Sequence, residues 1–240
     1  MRYRKAALLL PVRSLIFILV FLIGSAVTGK ALSSISSWWS VTATIVNIFT
    51  VMMIVIYARR TGTDFRGVIN YQRGKTMPGE IVKISAVILL LGMGGMYLAG
   101  LVCYGKFLFT PPMMIAPIPK AAAIINVPLL PVTTALAEEG LYLGCGVNSI
   151  KNKTCAIVVP AFFFALQHCF IPTLADGRYM MYRFLSFLPL TLILCRYYFR
   201  KRDPLPVMVG HALIDAATAV QILATSMIPG FYDKMCSLSA

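Results

Sequence analysis

Apolar runs of bilayer-spanning length recur along this chain and leave little room for anything but a helical bundle in lipid. A segment crossing the hydrocarbon core must satisfy its backbone hydrogen bonds internally, and a helix of about 20 residues does so. Such segments are predicted at about Leu8–Thr28, Trp39–Tyr57, Ile84–Tyr104, Ile124–Val147, Cys155–Ile171, Tyr182–Tyr198 and Leu205–Ile228. The fifth and sixth are short and are expected to extend into their flanks. Of the 240 residues 59% are hydrophobic, against roughly 45–50% in a soluble domain. The expected fold class is all-α, a polytopic membrane helix bundle of about seven transmembrane helices. A single integral-membrane domain over residues 1–240 is expected, with no separate soluble domain.

The net charge of +14 raises nucleic acid as a partner, but its distribution argues for none. The basic residues fall in the connections between apolar runs, where they act as topology determinants and contacts for anionic lipid headgroups. With a cytoplasmic N-terminus, sixteen of the 22 basic residues lie in inside segments: Arg2, Arg4, Lys5 and Arg13; Arg59, Arg60, Arg66, Arg73, Lys75 and Lys83; Lys151 and Lys153; Arg196, Arg200, Lys201 and Arg202. Lys30, Lys106, Lys120, Arg178, Arg183 and Lys234 lie outside. The alternation predicts a cytoplasmic N-terminus, an outside C-terminus and anionic lipid at the cytoplasmic face. The basic start followed by an apolar stretch resembles a signal peptide, but the stretch is long and more spans follow, so an uncleaved first helix is expected.

Local features fit this plan. The six cysteines form no CxxC pair and read as free, small apolar residues. Trp38 and Trp39 suit an interfacial aromatic belt. Gly92, Gly94, Gly95 and Gly100 give the third helix a small-residue face for close packing, although tolerance of glycine in membrane helices explains them as well. Between Lys106 and Lys120, Pro111, Pro112, Pro117 and Pro119 predict a non-helical outer connection able to shape an entrance.

The chemistry-bearing residues are few. Of eight acidic residues, Glu138, Glu139 and Asp215 lie in apolar stretches, and so do both histidines, His168 and His211. A charge at the centre of a bilayer costs about 2.5–3.5 kcal/mol on insertion scales, so such residues need a purpose. Phe164 and His168 are four apart and share a helical face, as do His211 and Asp215. Glu138 and Glu139 point about 100° apart on an ideal helix, so one can reach a central site while the other supports it or faces a neighbouring helix. Two adjacent ionised carboxylates in low dielectric repel, which prepares one to hold a proton and work as a general acid–base.

Depth gives a partial check. Glu139 and Asp215 fall roughly 15 Å from the cytoplasmic helix ends at about 1.5 Å per residue, and His211 lies nearer that face. His168 falls deeper, so the fifth helix is expected to start late, tilt or break. A lone membrane histidine is often only an interhelical hydrogen-bonding residue, and a lone acid a structural partner of a base. No lysine or arginine accompanies the acids inside the fourth, fifth or seventh helices, which favours a functional cluster.

Glu-Glu on one helix, Phe-x-x-x-His on the next and His-x-x-x-Asp on a later one resemble the motifs of the CAAX protease and bacteriocin-processing enzyme (Abi) family of intramembrane proteases. The resemblance spans a catalytic core of about 121–228 and leaves about 1–120 without a motif. One position departs: in Glu138-Glu139-Gly140-Leu141-Tyr142-Leu143, Leu143 stands where the family's first motif has arginine. If that arginine only positions substrate, Leu143→Arg is expected to be tolerated or to alter substrate preference.

The resemblance implies an intramembrane endopeptidase acting on a membrane-associated peptide or protein. Glu138 activates water with help from His168, His211 and Asp215 position the scissile carbonyl and stabilise the oxyanion, Glu139 is a supporting carboxylate, and Phe164 supports the site or the substrate. No cofactor is favoured, although zinc on Glu138, His168 and His211 is a possible alternative. A non-catalytic regulator or scaffold retaining the protease fold is the main competing function. A proton-coupled transporter is a weaker one, since no internal repeat is evident. A prenylated C-terminus, a bacteriocin precursor, a signalling peptide and a membrane-protein tail all remain open as substrates. A prokaryotic cell membrane is the expected location.

Overall fold

A computed structural model describes residues 6–107, 111–173 and 175–239, and these contain helices and connections with no strand. The main helices are α1 (Val12–Thr28), α2 (Trp39–Arg60), α3 (Pro78–Tyr104), α4 (Lys120–Glu138), α5 (Lys153–His168), α6 (Gly177–Lys201), α7 (Leu205–Met227) and the C-terminal α8 (Phe231–Ser239). Seven of them correspond in order to the seven predicted segments. Five helical stretches among the described residues are long and apolar enough to cross a membrane: Ala6–Thr28, Leu32–Arg60, Pro78–Tyr104, Lys120–Val147 and Leu205–Met227. α5 is apolar but stays short, without the expected extension, whereas α6 extends into both flanks and carries basic residues along its length. The protein is a multi-pass membrane protein.

Helix ends follow local chemistry. Asn152 caps α5 by accepting from the Cys155 amide at 3.0 Å, and Asp176 accepts from Arg178 and Tyr179 at the start of α6. α1 and α3 end at Gly29 and Gly105, both in the left-handed region that glycine adopts without penalty. Past Glu138, α4 winds on as a π-helix over Glu139–Val147, every residue of which is buried. This wider winding recurs at functional sites, and here the change falls between the two glutamates.

α4 packs between α2 and α7, while α6 packs against α3 and α5 and α3 also touches α7. The approach of α3 to α6 is close: a Cβ on Gly95 would lie 2.3 Å from the Ser186 carbonyl oxygen. The predicted small-residue face therefore acts through Gly95, whereas nothing lies near Gly94. Leu143 is fully buried among Ile84, Ile88, Leu190, Leu194 and Val207. The lipid-facing exposure of Leu19, Ile23, Leu90, Val102 and Val132 matches a bundle whose outer surface meets hydrocarbon.

Three expectations change. Trp39 is buried and donates its indole N–H to the Met114 carbonyl at 3.0 Å, so only Trp38 is exposed as a belt residue should be. Arg13 and Arg183 are not loop charges, because both side chains are carried into the bundle interior. The connection after α3 is not wholly irregular, since Pro112–Ile115 forms a 3₁₀ turn. Arg2, Arg4 and Lys5 lie outside the described residues. The six cysteines are free; Cys155 is exposed, while Cys145, Cys169 and Cys195 are buried.

Candidate active site

α4 and its π-helical extension, α5 and α7 bring the predicted cluster together. His211 is its hinge. Its Nδ1 lies 2.8 Å from Glu139 Oε1, and its Nε2 lies 3.8 Å from both Glu138 Oε2 and Asp215 Oδ2. The two glutamates thus reach opposite nitrogens of one ring. Their divergence along the helix is used rather than overcome: Glu138 turns toward the cavity and Glu139 goes behind the imidazole. With Glu139 accepting from Nδ1–H, the ring orientation is fixed and Nε2 faces Glu138 and Asp215.

His168 is the last residue of α5, which begins at Lys153 and runs unbroken to it, so the helix neither starts late nor breaks. Its Nδ1 lies 2.8 Å from the Phe164 carbonyl. Donation from Nδ1–H leaves Nε2 as an acceptor. The ring stacks on Phe187 with centroids 3.6 Å apart and planes 12° from parallel. Phe164 stacks on Tyr142, with centroids 4.6 Å apart, and its ring stands 6.2 Å from that of His211.

A cavity of about 540 Å³ collects these groups. Glu138, Phe164, His168, His211 and Asp215 line it, and Pro111 and Met114 of the α3–α4 connection form part of its wall. Glu139 is fully buried and is not among the lining residues. Most of the wall is apolar, from residues such as Leu89, Met93, Met96 and Ile214. Glu138 Oε2 and Asp215 Oδ2 are buried without a hydrogen-bond partner. Among the described residues, no group of three His, Cys, Asp or Glu side chains is arranged to hold a metal ion, so Glu138, His168 and His211 do not form a ready ligand sphere.

A layer that sequence reading missed surrounds Glu138. Arg13 of α1 is 1% exposed and places Nη2 2.9 Å from Glu138 Oε1. The same guanidinium donates to Gln167 Oε1 at 2.5 Å, Asn47 Oδ1 at 2.5 Å and Thr50 Oγ1 at 3.2 Å. Tyr142 also donates to Gln167 Oε1, at 3.0 Å, and Asn47 donates to Thr134 at 2.8 Å. The helices before residue 120 carry no family motif, yet α1 and α2 supply the cation and polar shell on which Glu138 rests. The available signal was Arg13 itself, a charge inside an apolar helix, and such residues commonly face a partner within the bundle.

Apolar helices enclosing a buried acid–histidine cluster define a polytopic membrane protein with a polar site in its interior. Residues 120–217 match the family described as type II CAAX prenyl endopeptidase Rce1-like. The matched stretch contains Glu138, Glu139, His168, His211 and Asp215, the residues of the motifs that resemble the CAAX protease and bacteriocin-processing family. Searches of the curated proteins and of the solved structures each found no match.

Proposed function

We propose that the protein is an intramembrane endopeptidase that hydrolyses a peptide bond of a membrane-associated substrate with a water activated by Glu138. The observation that carries this reading is the convergence on His211 Nε2. Two carboxylate oxygens without hydrogen-bond partners, Glu138 Oε2 and Asp215 Oδ2, each lie 3.8 Å from it at the wall of one cavity. That spacing suits a water, which can donate to the carboxylates, bridging them.

In this mechanism Glu138 takes a proton from water and the hydroxide attacks the carbonyl carbon. His168, with Nδ1–H committed to Phe164, accepts a hydrogen bond from the water at Nε2. The oxyanion receives a hydrogen bond from a protonated His211 Nε2, whose charge Glu139 and Asp215 balance. Glu138 then passes its proton to the leaving amine as the C–N bond breaks. Donors fixed in a water-poor cavity stabilise the oxyanion without reorganising. The description of the matched family points to a C-terminal segment with a prenylated cysteine as the first substrate to try. The apolar wall fits such a chain. Basic residues between the helices are proposed to contact anionic lipid.

The test uses purified full-length protein in lipid nanodiscs with a prenylated, internally quenched peptide, and compares membrane peptides from cells carrying wild type or Glu138→Gln. Glu138→Gln is expected to lower turnover about 10²–10⁴-fold, the range for a general acid–base group. Unchanged cleavage by that variant refutes the mechanism. An absence of cleavage, with full cellular function of Glu138→Gln, replaces the enzyme by a regulator that keeps the fold.

A further inference from the structure

A second guanidinium enters the same cavity with a different set of partners. Arg183 of α6 is 4% exposed and lines the cavity beside His168 and Phe187. Its guanidinium carbon lies 4.8 Å from the centroid of the Phe187 ring, the ring that also stacks on His168. Nε reaches the His168 carbonyl oxygen at 3.4 Å, a long contact. Among the described residues its terminal nitrogens donate no hydrogen bond and no carboxylate pairs with it. Arg13 is the contrast, with four hydrogen bonds that include Glu138.

A buried charge is retained where something balances it. The face of Phe187 and the C-terminal carbonyl of α5 supply partial negative charge. Neither uses the planar pair of terminal N–H donors, whose geometry matches a carboxylate. The acids of the site gather around His211, leaving this guanidinium to meet an anion that enters the cavity.

We propose that Arg183 anchors a carboxylate of the substrate peptide beside His168. The proposal rests on the peptidase reading for its ligand, and it adds a requirement that the family match does not state for this residue. The carboxylate can be the peptide's own C-terminus or an acidic side chain near the cleaved bond; the chemistry is shared, and the experiment separates the two. A purely structural role, in which Arg183 only caps α5, predicts no dependence on substrate charge.

The probe is the prenylated, internally quenched peptide with the full-length protein in nanodiscs. One pair of peptides differs only in a free C-terminal carboxylate against a carboxamide. A second pair, both amidated, differs in a Glu against a Gln beside the cleavage site. Wild type is expected to favour the acidic member of one pair by roughly 10-fold or more in kcat/KM, mainly through KM, as for a hydrogen bond to a charged group. The pair showing the preference identifies the source. Arg183→Gln is expected to bring the ratio to about one, and Arg183→Lys to keep part of it. Equal treatment of both members in both pairs by wild type overturns the proposal, and so does a ratio unchanged in Arg183→Gln. Fluorescence anisotropy of the same peptides with wild type and Glu138→Gln gives the ratio where turnover or a variant fails. If nothing is cleaved but acidic peptides bind better, the endopeptidase reading falls and the anchor stands; equal binding, or none, overturns the anchor.

Discussion

Arg13 and Glu138 are 125 residues apart in the chain, and their side chains meet at 2.9 Å inside the bundle. Removing either partner leaves a buried charge uncompensated, which costs about 3–5 kcal/mol. Arg13→Met also strands Gln167, Asn47 and Thr50, its other partners. We expect Arg13→Met to lower Tm by several degrees and to lower turnover. The Arg13→Met/Glu138→Gln double variant should be more stable than the sum of the single effects predicts, since coupled neighbours deviate from additivity by about 0.5–3 kcal/mol. Thermal unfolding in one detergent checks this, and strict additivity excludes the pairing.

Leu143 gives a prediction opposite to the one its sequence position invites. Read from the motif alone, Leu143→Arg restores the family's arginine and should be tolerated. The side chain is fully buried in an apolar cluster with Ile84, Ile88, Leu190, Leu194 and Val207. An arginine there would carry a charge into this apolar core, at a cost of about 2.5–3.5 kcal/mol. Leu143→Arg should fold poorly, whereas the volume-conserving Leu143→Met should cost less than about 1.5 kcal/mol. Yield and Tm of the two variants decide the matter. A stable Leu143→Arg protein refutes the packing argument.

The legible part of the site was the part encoded within single helices. Phe164 with His168, and His211 with Asp215, follow helical spacing, and consecutive Glu138 and Glu139 announce themselves in an apolar run. Their partners from other helices do not. Arg13 looked like a topology charge because it stands near a basic terminus, and Arg183 because it stands near Arg178. Only tertiary packing shows that α1 and α6 turn these side chains inward. The same limit applies to the small-residue face, where Gly95 meets the Ser186 carbonyl and Gly94 meets nothing. Nor does composition reveal that the backbone widens into a π-helix at Glu139. That depends on where nine consecutive buried residues, Glu139–Val147, find space among their neighbours.

The topology we propose rests on the charge asymmetry along the chain. Taking Arg13 from one side and Arg183 from the other, since both are interior, leaves the excess of basic residues in the proposed cytoplasmic segments intact. Reporter fusions after Lys30, Arg73 and Lys234 should read outside, inside and outside. An inside reading after Lys234 breaks the seven-crossing arrangement. The shortness of α5 or the charge of α6 would then be the first place to look for a segment that does not cross.

Metal dependence separates the two chemistries open to the same residues. In the glutamate mechanism, Glu138 Oε1 stays on Arg13 and Oε2 takes the proton, while His211 Nδ1 stays on Glu139. Metal binding would instead recruit His168 Nε2, His211 Nε2 and Glu138, drawing together groups that do not form a ligand set among the described residues. We expect the purified protein to keep its peptidase activity after exhaustive chelation, and His168→Ala to lose most of it, since truncating one member of a cooperating set removes most of its effect. Wild type is the control for metal content, measured on the same preparation by elemental analysis. Activity that disappears on chelation and returns with stoichiometric zinc assigns the water activation to a metal and leaves Glu138 as a ligand. Activity that survives chelation yet is lost in Glu138→Gln assigns the proton transfer to the carboxylate.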